Sequence, residues 1–239
     1  MTAVFTLLLI LSAYIISDVS LSLLGLSSFA RRLIILALAL TISIFYLTYK
    51  KQTPKKALAK ELCELWDINK SPAPDCAACL FLGLGLNAFC TSVIALLPSE
   101  LTAAYTAASA PLSALAVNIV LDTVIVAPVL EELLFRRDVL GTLATLLPPS
   151  AAIAASAIIF GAFHGSPIWM LYSAFCAVAL GAVYLKYRSA VPAIVLHVAF
   201  NGANYIFALL PVTLSPYLLI CASMPICLLA TAFIFAKKK

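Results

Sequence analysis

Charged side chains are scarce in this chain: they make up 10% of 239 residues, against 64% hydrophobic residues, and the mean hydropathy is +1.11. That scarcity excludes an ordinary soluble domain, because no soluble core of this size could hide so much apolar side chain. Internal repeats and a second domain are also missing. Without duplicated halves a transporter built on paired repeats is disfavoured. Cysteine is present as Cys63, Cys76, Cys79, Cys90, Cys176, Cys221 and Cys227, but only Cys76 and Cys79 have CxxC spacing. With no second pair to complete a zinc site, the cysteines read as small packing residues.

What fills the chain is a series of apolar runs separated by short polar or proline-containing breaks. Crossing about 30 Å of hydrocarbon takes roughly 20 residues. The pattern predicts an all-α, polytopic membrane helix bundle of about eight transmembrane helices: Ala3–Leu24, Leu33–Tyr49, Cys76–Leu97, Leu112–Phe135, Ala151–His164, Ile168–Tyr187, Val191–Leu210 and Leu214–Ala236. Leu101–Ala110, rich in Ala, Ser and Thr, is expected at the interface or as an extension of the fourth span. The first run lacks a basic leader, and Asp18 does not fit a small-residue cleavage site, so it is expected to stay as an anchor. Two regions follow: residues 1–111 hold N-terminal spans with a polar connector at 50–75, and residues 112–239 hold a second helix bundle. An amphipathic surface helix fits Pro54 to Asn69.

Lys50, Lys51, Lys55, Lys56 and Lys60 follow the second span, Lys186 and Arg188 the sixth, and Lys237, Lys238 and Lys239 the eighth. All fall after even-numbered spans, which puts both termini and the connector in the cytoplasm. Arg31 and Arg32 are the exceptions. The net charge of +5 then reflects topology and contact with anionic headgroups, with no call for nucleic acid as a partner.

Polar groups inside apolar spans are costly and usually face a cavity or a partner. Here they are Asp18, Asn87, Asn118, Asp122, the run Glu131 to Arg136, then His164, His197, Asn201 and Asn204; the two histidines are the only ones in the chain. Glu132 and Arg136 stand at i,i+4, on one helical face, where they can pair. Glu131 is turned about 100° away and is left available for chemistry. Phe160 lies one turn below His164. Counted from the Pro148-Pro149 turn, Glu131 and His164 fall at similar depth on antiparallel helices. His197 and Asn201, again at i,i+4, aim an imidazole and a carboxamide in one direction, as an oxyanion would require; a polar patch gluing helices together fits these two residues as well.

Taken together, Glu131-Glu132-Leu133-Leu134-Phe135-Arg136 (EExxxR), Phe160 to His164 (FxxxH) and His197 to Asn201 (HxxxN) resemble, in that order, the motifs of the CAAX-protease and bacteriocin-processing (CPBP) family, which includes type II prenyl-protein endoproteases and Abi-like putative proteases. The resemblance implies that residues 112–239 form a CPBP-type catalytic bundle with glutamate-type endopeptidase activity. Glu131 and His164 would activate water, His197 and Asn201 would stabilise the oxyanion, and Glu132 would orient the site through Arg136. The implied partner is a membrane-associated peptide, prenylated in the CAAX case, entering from the cytosol. A metal-free mechanism without cofactor is expected, since HExxH and Glu-x-x-His helices are both absent; zinc or iron between Glu131, His164 and His197 is the alternative. A non-catalytic scaffold or bacteriocin-immunity protein of the same fold is the second functional reading.

Overall fold

The computed structural model describes residues 2–35, 37–38, 72–210 and 214–236, with side chains from residue 11 onward. Every regular element among them is helical. Helix α1 covers Thr2–Leu23 and α2 begins over 28–35. Then come α3 at Ala73–Ala95, α4 at Ser99–Ser109 with a tight turn at Ala110–Ser113, and α5 at Val117–Leu143. The last four are α6 at Pro149–Ala162, α7 at Pro167–Tyr187, α8 at Ala190–Ala208 and α9 at Pro216–Ala236.

Local chemistry explains where these helices begin. Proline sits in the first turn of α3, α6 and α7, where its missing N–H removes no helical bond. The Ser166 hydroxyl accepts from the Trp169 N–H at the head of α7, and Ser189 accepts from the Val191 N–H at the head of α8. Helix α5 is irregular. Its turns widen at Asp122–Val126 and again over Glu132–Leu140 into i→i+5 geometry. Pro128, lacking a donor and crowding the carbonyl four residues back, accounts for the first of these wide turns.

Among the described residues, α3, α7, α8 and α9 are long and apolar enough to cross a membrane, and the pair α4–α5, bent by 114°, makes a fifth candidate. These make up to five of the eight predicted spans among the described residues. Most of the predicted second span and the expected Pro54–Asn69 helix lie outside the described residues. The fifth predicted span is the 14-residue α6, roughly 21 Å long at 1.5 Å per residue, too short to cross. The Ala/Ser/Thr stretch forms its own helix, α4, and the bend prevents it from lengthening the fourth span. Helix α5 instead runs eight residues past Phe135, through the charged run where hydropathy had ended it.

Helix α3 packs against α8 and α9, and α6 against α7. Gly83 permits the first approach, since a Cβ there would strike the Leu196 carbonyl and Ala199 of α8. Gly161 does the same for α6 against Met170 and Ala174 of α7. One apolar core joins Cys79, Leu82, Leu180, Leu196 and Phe200; a second joins Phe135, Val139, Leu140, Ala152 and Phe160 beneath the site.

Candidate active site

The motif residues lie on α5, α6 and α8 and, for His164, in the bend just past the end of α6, and these elements meet over the second core. Ser156 of α6 donates to the Phe135 carbonyl of α5 at 3.3 Å, holding the two helices in register. Behind the cavity, Glu132 is completely buried and shared: Oε1 accepts from His197 Nδ1 at 2.8 Å, and Oε2 stands 3.0 Å from Arg136 Nε. Arg136 is likewise fully buried. Neither its Nε nor its Nη nitrogens make a hydrogen bond among the described residues, so the contact with Glu132 is an ion pair, but the guanidinium carbon lies 4.9 Å over the Phe160 ring, so an aromatic face takes part of its charge. Phe160 also meets Phe135 edge-on at 4.9 Å and lies 5.0 Å from His164 and 5.9 Å from His197, centroid to centroid. One ring thus spaces a guanidinium and two imidazoles.

In front of this layer opens a cavity of about 550 Å³, whose walls include Glu131, His164, His197 and Asn201. Glu131 keeps 16% of its side chain exposed, and its Oε2 lies 3.7 Å from His197 Nε2. His164 Nδ1 donates to the Phe160 carbonyl at 3.1 Å, which leaves Nε2 with its lone pair. Asn201 Nδ2 donates to the Thr123 carbonyl at 2.9 Å, within the first wide turn of α5, and has a second N–H to offer. The arrangement supplies one part-exposed carboxylate, one imidazole with a free ring nitrogen, and donors on the facing helix, which are the components of general-base attack by water.

Of the seven residues the sequence singled out, Glu131, Phe160, His164, His197 and Asn201 line the cavity; Glu132 and Arg136 do not. The direct link from Glu132 to His197, 65 positions apart, was absent from the sequence reading, which joined Glu132 to the site only through Arg136. Asn204 is held differently from Asn201: its Oδ1 accepts from Asn87 Nδ2 at 3.1 Å, and Asn87 also donates to the Tyr172 hydroxyl. The cavity further includes Tyr14, Arg31 and Arg32 from the N-terminal helices and Tyr105 and Trp169, none of which a motif marks. Among the described residues no three His, Cys, Asp or Glu side chains converge as a metal-holding group.

Residues 112–203 match the family model described as type II CAAX prenyl endopeptidase, Rce1-like. That stretch contains all seven residues. No curated protein and no solved structure matches the chain.

Proposed function

We propose, on the match of residues 112–203 to the Rce1-like type II CAAX prenyl endopeptidase model, that this integral membrane protein is an endopeptidase of the CPBP/CAAX protease family whose Glu131 and His164 activate water to cut a membrane-associated, prenylated peptide. The observation that carries this reading is the sorting of two adjacent glutamates: Glu131 faces the cavity with His164, His197 and Asn201, while Glu132 stays buried behind it.

Water between Glu131 and His164 gives up a proton as its oxygen attacks the peptide carbonyl, and the carbonyl oxygen becomes an oxyanion. With its Nδ1–H donated to the Phe160 carbonyl, His164 presents an accepting Nε2. In its protonated form His197 holds the Glu132 carboxylate through Nδ1–H and presents Nε2–H as a cationic donor, and Asn201 adds its spare N–H. Collapse of the intermediate breaks the C–N bond as the abstracted proton passes to the departing amine. The mechanism is metal-independent in this reading, since the imidazolium supplies the positive charge that a Lewis acid would. Both termini lie on the cytoplasmic side, from which the peptide enters, and residues 112–239 form the catalytic unit.

The test uses detergent-purified protein and a library of farnesyl-cysteine peptides with randomised three-residue tails, read by mass spectrometry. Wild type releases the tails, also in the presence of a strong chelator, while Glu131→Ala and His164→Ala each lose on the order of 10²-fold or more in rate and keep their thermal transition. Full activity in Glu131→Ala would sink the reading. So would a wild-type protein that binds members of the library and cleaves none, the behaviour of a scaffold.

A further inference from the structure

Arg31 and Arg32 break the distribution of basic residues along the chain, and their position in the fold gives a reason. Both line the cavity that holds Glu131 and His164, although they come from the N-terminal helices, outside the family-matched segment. They are held firmly. Arg31 Nε pairs with Asp18 Oδ1 at 2.9 Å and its Nη1 donates to the Leu26 carbonyl at 3.1 Å. Arg32 Nη1 pairs with Asp122 Oδ2 at 3.1 Å, and the Ser28 hydroxyl donates to the same oxygen at 2.8 Å.

A guanidinium carries five N–H donors, so these contacts leave each arginine with donors that no described residue takes up. Their side chains are 21% and 28% exposed, so the spare donors are open to a ligand. Glu131, Asp122 and Tyr14 all act electrostatically on Arg32, which puts this guanidinium in the field of the proposed base. Asp122 and Asp18 fix and neutralise the arginines, so the site does not hold a large positive charge in an apolar setting. It offers directed donors instead, the pattern that recognises a single carboxylate.

We propose, building on the endopeptidase reading above, that Arg31 and Arg32 form the subsite for the free α-carboxylate at the substrate's C-terminus. Spacing supports the assignment. Asp122, which holds Arg32, and Glu131 are nine residues apart on α5, roughly 13.5 Å along its axis at 1.5 Å per residue, and the Arg32 guanidinium takes up part of that span between Asp122 and the ligand. Three extended residues reach about 10 Å. A tail anchored by its carboxylate on the arginines therefore presents the bond three residues from its end to Glu131, so the site measures the tail by its terminus. A lipid phosphate would meet the same donors, but the arginines line the same cavity as Glu131 and His164 and the chain matches a prenyl endopeptidase model over residues 112–203, so the peptide carboxylate is the ligand assigned.

The experiment compares each cleavable farnesyl-cysteine peptide as free acid and as C-terminal amide. Wild type is expected to favour the acid in kcat/KM by about tenfold to a hundredfold, the worth of a hydrogen bond to a charged group, mainly through KM. That acid-to-amide ratio should fall toward one in Arg32→Gln/Asp122→Asn, where the paired substitution avoids leaving a buried carboxylate without its cation. It should be intermediate in Arg32→Lys, which keeps charge and loses the fork, and in Arg31→Gln; these two decide the matter if the double variant does not fold. Equal cleavage of acid and amide by wild type, or a ratio unchanged in every folded variant, overturns the subsite and leaves the protease reading standing. Cleavage of neither form by wild type overturns both. A rate that depends on anionic lipid in the vesicles, with that dependence lost in the Arg32 variants and no acid preference, assigns the arginines to a headgroup and overturns the proposal.

Discussion

The wall of the cavity and the layer behind it are built from the same short stretches of α5, α6 and α8, yet their polar groups are bonded in opposite ways. Behind the cavity Glu132 is closed to water and committed to two partners, His197 and Arg136, and Arg136 is covered in turn by Phe160. In the wall, Glu131 stays partly open, 3.7 Å from the nearest imidazole nitrogen. His164, just past the end of α6, spends one ring nitrogen on the Phe160 carbonyl of that helix and keeps the other. A buried carboxylate held by an imidazole on one oxygen and a guanidinium on the other contributes positioning and stability. One that is left under-bonded beside a cavity is available to take a proton. Adjacent residues can serve the two ends because one helical step carries the side chain about 100° around the axis.

The comparison is broken most directly by exchanging charge for amide on each side of it. Glu132→Gln keeps volume and an acceptor for His197, but removes the carboxylate that pairs with a fully buried Arg136. Taking one partner from a buried pair costs about 3–5 kcal/mol, and the His197 imidazolium loses its counter-ion as well, so both thermal stability and cleavage should collapse. Glu131→Gln should lose about 10²–10⁴ in rate with a melting temperature close to wild type. Matched stability losses in the two variants would erase the distinction between wall and backing layer.

Much of this division was legible in residue spacing. The i,i+4 relation of Glu132 to Arg136 and of His197 to Asn201 assigns each pair to one helical face, and the turn at Pro148-Pro149 brings Glu131 and His164 to one cavity. What spacing could not give is the inter-helix bond from Glu132 to His197, because no local period connects positions 65 apart. Hydropathy misjudged lengths for a related reason: it ended the fourth span at Phe135, since it scores Arg136 as a charge and cannot see that the charge is paired and covered. It extended the fifth to His164 because a half-length helix buried against α7 has the same composition as a spanning one. Arg31 and Arg32 left a trace only as a misfit to the charge distribution; Tyr105 and Trp169, apolar enough to pass as core, left none.

A smaller effect sharpens the comparison within the wall. Asn201 donates one N–H to the Thr123 carbonyl and has one left, so Asn201→Ala should lower kcat by about 10²-fold, the worth of an oxyanion donor, and leave KM nearly unchanged. Asn204 lines the cavity as well, but its oxygen is taken by Asn87, so it is expected to contribute less to the oxyanion. A larger loss of kcat from Asn204→Ala than from Asn201→Ala would reverse their assignment.

The smallest effect is expected where α8 is tied to the start of α5. The Tyr205 hydroxyl donates to the Leu112 carbonyl at 2.8 Å, one turn beyond Asn201 on α8, and so couples the donor helix to the turn that leads into α5. Tyr205→Phe keeps the ring and removes one hydrogen bond, a change worth about 1 kcal/mol. If Tyr205 acts only as a tie, that cost appears as a modest drop in melting temperature, and kcat stays within about threefold of wild type. A loss of kcat approaching that of Asn201→Ala, at unchanged stability, would instead place the Tyr205 hydroxyl among the groups that meet the reacting peptide. The reacting groups would then extend a full turn further along α8 than the motif residues mark.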